Sequence, residues 1–283
     1  MDGPVLVTLG HGYSAAWLAA SLPAPWQVTG TTRSGAKADA MRAAGVEAVD
    51  WADAATIGAA IRGASHVLVS LPPDASGDPV LARHRGDLAA ARDLAWVGYL
   101  STTGVYGDRH GGWVDEESAL EPVNERSRWR VAAEREWAAT GLPLHRFRLA
   151  GIYGPGRSAL DRLREGRAQR IIKAGQVFSR IHVADIAAAL AASIARPTPG
   201  AVFNLADDEP APPQDVIAFA AGLLGLPVPP DIPFEEAALS PMARSFFAES
   251  KRVSNQKLKA DLGVALAYPD YRAGLTSILA AGG

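Results

Sequence analysis

The sequence has no cysteine, which excludes disulfides, thiolate-bound metals and a cysteine nucleophile. Lysine is scarce, at 5 of the 28 basic residues, and beside so much alanine this reads as genome composition, not function. The 30 acidic residues nearly cancel the basic ones, to a formal charge of −2. No global basic field then exists to draw the chain to nucleic acid or anionic lipid, so neither a nucleic-acid nor a membrane partner is expected. No apolar run approaches the ~18 residues that a membrane span requires. Residues 15–25 imitate the core and cleavage site of a secretory leader, but Asp2 is the only charge before Arg33, and Gly10 and Gly12 interrupt the apolar stretch. The positive n-region is therefore missing, and a cytoplasmic protein is the expectation.

What the chain does have is length and apolar content. At 283 residues, 48% apolar and 20% charged, it buries a sizeable core as one large domain or a domain with a smaller companion. Its first half alternates short β-rich runs with helical segments. Strands are read at Val5–Leu9, Trp26–Thr31, Val46–Val49, Ser65–Leu71 and Trp96–Ser101, with helices at Tyr13–Leu22, Gly35–Ala44, Ala54–Arg62 and about Pro79–Leu94. Such alternation predicts an α/β fold, a doubly wound parallel sheet with helices on both faces. Further on, a helix is read at Glu125–Ala139, a strand at Leu144–Leu149, a helix at Val183–Ala195 and a strand at Val202–Leu205. The arginine-rich stretch from Gly154 to Gly175 reads as a lid or minor-domain excursion, and proline clusters after Pro210 separate short helices. A small, mostly helical C-terminal region is expected.

Gly10-His11-Gly12-Tyr13-Ser14-Ala15 fits G-x-G-x-x-A between the first strand and first helix. Gly10 permits the tight turn, Gly12 lets the backbone approach a pyrophosphate, and Ala15 allows helix to pack closely on strand. The amides at the helix start, around Tyr13 and Ser14, then face the phosphates. This is the Rossmann pattern for a dinucleotide. An NAD site commonly places Asp or Glu about 20 residues on, for the ribose 2′-hydroxyl. Here stand Thr31-Thr32-Arg33-Ser34, and the first carboxylate is Asp39. A guanidinium with flanking hydroxyls suits a 2′-phosphate, so NADP is expected over NAD. Ser70, Leu71 and Pro72 bring the fourth strand's end past the diphosphate and ribose. Asp50 either meets the adenine edge or begins the capping region of the third helix.

These motifs resemble the extended short-chain dehydrogenase/reductase superfamily, also called NAD-dependent epimerase/dehydratase-like proteins. Beyond the glycines, Leu100-Ser101-Thr102-Thr103-Gly104-Val105-Tyr106-Gly107 looks like the family's serine/threonine strand ending in V-Y-G. Arg148 through Arg157 is similar to its R-x-x-x-x-Y-G-P-G segment, Ile181-His182-Val183-Ala184-Asp185 to I-H-V-x-D, and Phe203-Asn204-Leu205-Ala206 to F-N-(V/L)-A. The resemblance covers nearly the whole chain. It implies a dinucleotide-binding domain over 1–155 plus 181–206 and a smaller substrate region over 156–180 plus 207–283. It also implies a small polar substrate, and family members often dimerise through helices equivalent to 79–94 and 125–139.

The departure is chemical. Counting back from Glu134, the family's Y-x-x-x-K lysine falls on Arg130 and its tyrosine on Arg126. Arginine stays protonated at any working pH and cannot shuttle a proton as a phenol does. This pattern looks like the family's atypical branch. Arg130 can still bind the nicotinamide ribose and supply positive charge. Thr102 aligns with the catalytic serine or threonine; it either polarises a substrate carbonyl or is satisfied at the sheet edge. Tyr106 is the nearest substitute proton donor, or a packing residue. Arg157, Arg162, Arg164, Arg167, Arg170 and Lys173 either face an anionic substrate or form a solvated helix face. His110 and His182 lack a second ligand at metal spacing, so no metal is expected and His182 reads as a structural hydrogen-bonder. Two functions remain open: an NADP-dependent oxidoreductase or epimerase-like enzyme, and a non-catalytic NADP-binding redox sensor or partner-binding module.

Overall fold

The computed structural model describes residues 3–282. Its first half runs β1 (Val5–Leu9), α1 (Tyr13–Ser21), β2 (Gln27–Thr32), α2 (Gly35–Ala43), β3 (Glu47–Asp50), α3 (Ala54–Arg62), β4 (His66–Val69), α4 (Pro79–Ala90) and β5 (Trp96–Thr102). Next come a 3-10 turn at Thr103–Tyr106, β6 (Trp113–Val114), α5 (Glu125–Ala138), β7 (Leu144–Leu149), β8 (Gly151–Tyr153), α6 (Ala159–Arg164), β9 (Arg170–Ile172) and β10 (Arg180–His182). The chain closes with α7 (Val183–Ala195), β11 (Val202–Leu205), α8 (Pro213–Leu224), β12 (Asp231–Pro233), α9 (Pro241–Phe246), β13 (Arg252–Val253), α10 (Gln256–Leu262) and α11 (Tyr271–Ala280). The helix expected to reach Leu94 stops at Ala90. Asp78 caps its start through Val80 N and Leu81 N, but Ala91 is already extended. Ala89, Ala90, Arg92 and Asp93 are exposed, so a further turn would have had no buried face to hold it.

Seven parallel strands form the central sheet, in the order β11-β7-β5-β4-β1-β2-β3. The chain builds outward from β1 to β3, then returns to β4 on the other side of β1, the doubly wound topology expected. Strand alternation decides the core. Val7 and Leu9, Val67 and Val69, and Val97 and Tyr99 share one face, where they pack with Ile57 and Ile61 of α3, Val80 and Leu88 of α4, and Trp137 of α5. Away from that core α4 and α5 are charged, with Arg85 paired to Glu136 at 2.5 Å.

By compactness the chain divides into two units. One holds Met1–Thr102, Arg128–Arg148 and Ile186–Phe203; the other holds Thr103–Ser127, Leu149–Asp185 and Asn204–Gly283. In the second unit Leu160 of α6, Val216, Ile217 and Ala220 of α8, and Leu275 and Ile278 of α11 make a helical core. It also contains three parallel two-stranded ladders, β8–β10, β9–β12 and β6–β13. Strands of two or three residues leave no periodicity to read, which is why β6, β9, β12 and β13 are invisible in the sequence. No helix among the described residues is long and apolar enough to cross a membrane.

A buried ion pair ties α5 to the sheet. Arg148 Nη2 of β7 meets Glu134 Oε2 at 2.8 Å, with 4% and 1% of the side chains exposed. The Ser101 hydroxyl of β5 donates to the other carboxylate oxygen. Both charges are thus desolvated and mutually dependent. Glu134→Ala, which takes the paired carboxylate from a buried guanidinium, should cost about 3–5 kcal/mol of stability in denaturant unfolding.

Candidate functional site

The turn after β1 is built by close packing around one glycine. Gly10 adopts φ +88°, and a Cβ there would lie 2.9 Å from Leu71 Cγ and 3.1 Å from Ser70 Oγ. Its amide donates to Thr31 Oγ1 at 2.8 Å, while its carbonyl accepts from the Ser70 hydroxyl. His11 N donates to Thr31 O at 2.9 Å, and its ring lies over β2, where a Cβ on Gly30 would sit 2.8 Å from Nδ1. That ring accepts or donates to Thr8 Oγ1 at 2.8 Å, and burial lowers its pKa. Thr31 and Gly30 were not singled out in the sequence; the signal was their place at the inward end of β2, next to the expected cofactor arginine.

Beyond this turn the backbone is open. Gly12 is the N-cap of α1 and no side chain caps the helix; a Cβ on Gly12 would meet nothing nearer than Gly10 O at 3.9 Å. Ser14 is buried and Tyr13 half-buried. An uncapped helix start concentrates positive partial charge where the backbone is accessible, so these residues fit a dinucleotide diphosphate. Leu71 is half-buried and Pro72 exposed, just past the end of β4.

An open cavity of about 190 Å³ lies between α2 and the ends of β2 and β3, lined by Thr32, Ser34, Gly35, Ala38, Asp39, Arg42, Ala48 and Asp50. Ser34 Oγ caps α2 by accepting from Lys37 N at 3.4 Å, and Thr32 Oγ1 accepts from Ser34 N at 3.2 Å. Asp50 is exposed and accepts from Ala52 N at 2.8 Å. The α3 cap is Asp53, through Thr56 N, so Asp50 itself remains a cavity residue. Arg33 is exposed, has no partner among the described residues and is not among the lining side chains.

Arg130 and Thr102 both belong to the first unit. Thr102 is half-buried at the end of β5. Arg130 Nη1 donates to Leu100 O at 2.9 Å and Tyr99 Oη at 3.1 Å, and its guanidinium lies 5.5 Å from the Tyr99 ring centroid. Its other nitrogens make no hydrogen bond among the described residues. Burial raises the Tyr99 phenol well above its ordinary range despite this cation. Arg126 is exposed. Tyr106 is fully buried, and its hydroxyl donates to Asn204 Oδ1 at 2.7 Å. That geometry holds the phenol in the interior.

A conserved protein of unknown function from Silicibacter pomeroyi is 54% identical, with 99% of each chain covered and a TM-score of 0.91. The chain belongs to the family of that protein. A candidate NAD-dependent epimerase/dehydratase from Methylobacillus flagellatus is 25% identical, covering 100% of this chain and 99% of its own, at a TM-score of 0.75. The dTDP-glucose 4,6-dehydratase of Bacillus anthracis, solved in complex with NAD, shares the fold at 14% identity and a TM-score of 0.79, with 98% and 96% covered. The structural neighbours are thus of the NAD-dependent epimerase/dehydratase type. No family model matches the chain, and no curated protein matches it.

In the second unit much of the basic run is engaged. Arg167 pairs with Glu165, Arg170 with Asp231, and Lys173 Nζ donates to Phe247 O. His182 is 2% exposed, accepts from Ala184 N at 3.2 Å through Nδ1, and is pushed down to about 4 by burial. It is a neutral structural histidine. No group of three or more His, Asp or Glu side chains among the described residues is arranged to hold a metal ion. The most perturbed carboxyl is Asp207, 1% exposed, with neither oxygen hydrogen-bonded among the described residues. Burial pushes it up to about 8, although Arg180 nearby opposes the shift.

Two outcomes follow from this geometry. Gly10→Ala should cost about 1–3 kcal/mol in thermal or denaturant unfolding, from the left-handed backbone and the clash with Leu71. Asp207 keeps its proton up to about pH 8 in the folded chain but loses it near the ordinary aspartate value of 3.8 when unfolded. The folded state therefore holds the extra proton between these values, and stability falls as pH rises through that window. Asp207→Asn should match the parent near pH 4 and exceed it at pH 8, read as the denaturant midpoint.

Proposed function

We propose that the chain is an NADP-binding oxidoreductase or epimerase-like protein of the atypical short-chain dehydrogenase branch. The uncapped start of α1 behind the Gly10 turn is the observation that carries this reading. The amides from His11 to Ser14 would hold the diphosphate. Ser70, Leu71 and Pro72 would border the ribose, and Thr32, Arg33, Ser34 and Asp50 the adenosine end. Bound there, a nicotinamide dinucleotide supplies a hydride donor or acceptor.

The protein's own part is alignment and charge. The free nitrogens of Arg130 suit the nicotinamide ribose, because Nη1 is already fixed on Leu100 O and the guanidinium cannot swing away cheaply. The Thr102 hydroxyl orients a substrate oxygen. Arg126 cannot donate and recover a proton at neutral pH, and Tyr106 is committed to Asn204. The proton must then come from substrate or water, with loss of the ~10²–10⁴-fold that a positioned acid contributes. These same two observations favour a second reading, a non-catalytic NADP-binding redox sensor or partner-binding module.

Incubating bound NADPH with a panel of aldehydes and nucleotide-sugars, and following its fluorescence, separates the two. Enzymatic turnover should survive Arg126→Ala and be lost in Thr102→Val; tight binding with no turnover across the panel favours the sensor. Calorimetry should show Arg33→Ala weakening NADP about tenfold, the scale of one charge-assisted contact, with NAD almost unchanged. Equal losses for both cofactors would remove Arg33 from the phosphate site.

A further inference from the structure

The cavity between the ends of β2 and β3 holds a charge pair that the glycine motif does not explain. Asp39 and Arg42 are one turn apart on α2 and meet at 2.9 Å, with 79% and 59% of their side chains exposed. Both line the cavity, together with Asp50, whereas Arg33 does not. With Arg42 neutralised by Asp39, the charged side chains lining the cavity sum to one net negative charge. That suits a ribose hydroxyl, which donates to a carboxylate. It repels a phosphate dianion. Exposed pairs at this spacing are weakly held, so an incoming dianion can take the guanidinium from Asp39. The hydroxyls of Thr32 and Ser34, which accept backbone amides, still have protons to give from the same wall.

We propose that Asp39 and Arg42 form an exchangeable latch that sets the preference between NADP and NAD. Released from Asp39, Arg42 clamps the 2′-phosphate; held by Asp39, it leaves the cavity suited to the unphosphorylated ribose. Asp39 is the brake. The inference rests on the cofactor reading above, and adds to it a residue pair on α2 that the strand-end arginine does not replace.

The test is calorimetric titration of the full chain with NADP, NAD, 2′-AMP and 5′-AMP, with thermal unfolding of each variant as a check on folding. Arg42→Ala should weaken NADP and 2′-AMP about tenfold and leave NAD and 5′-AMP within about twofold. Asp39→Asn should tighten NADP several-fold without changing NAD. An unchanged NADP-to-NAD ratio in both variants overturns the latch, and if Arg33→Ala alone then abolishes the preference, the cofactor reading stands without it. A parent chain that takes up neither dinucleotide overturns both.

Discussion

Three side chains, one on β2 and two just past the end of β4, converge on Gly10. Thr31 accepts its amide, Ser70 donates to its carbonyl, and Leu71 occupies the space a Cβ would need. Each contact depends on β1 lying between β2 and β4, which is where the strand order reverses. The turn therefore exists only because the sheet is wound in both directions from β1. Its consequence is the direction of α1, whose bare N-terminus opens on accessible backbone and not on a capping side chain. Loosening any of the three contacts would let the turn relax and the helix start move.

Several residues that read as functional motifs turn out to hold the fold. Arg148, Glu134 and Ser101 come from three separate motif segments and meet in one desolvated ion pair. The Tyr106 hydroxyl donates to Asn204 Oδ1 in the interior, nearly a hundred positions away. His182 packs against Tyr268, with ring centroids 4.0 Å apart, and takes a backbone amide. A buried polar group without a partner is costly, so such pairings are what a long chain needs to bring distant strands into one arrangement. Elsewhere the surroundings are less closed: the remaining nitrogens of Arg130 make no hydrogen bond among the described residues, and no side chain caps the start of α1.

Electrostatics differ between the two units. In the first, pairs such as Asp39–Arg42 sit at the surface, where they exchange at little cost. In the second, buried Asp207 and Tyr153 interact with half-buried Arg180, and desolvation pushes the carboxyl up to about 8 and the guanidinium down to about 10. A cluster of that kind is a reservoir of pH sensitivity within the unit.

Local order in the chain was enough to foresee the alternation of β1 to β5 with their helices and the G-x-G-x-x-A turn, and it places arginine at 126 and 130 outright. Those features depend on periodicity and on residue types within a dozen positions, and side chains such as Arg126 announce what they cannot do wherever they are placed. The folded arrangement alone decided which partners the motif residues find. It put Glu134 on Arg148, buried Tyr106, brought Asp39, Arg42 and Asp50 around one cavity while leaving Arg33 outside it, and added ladders such as β6–β13 from strands too short to show a pattern. Contacts between positions far apart in sequence arise from how strands are ordered in a sheet, and residue order carries no direct measure of that distance.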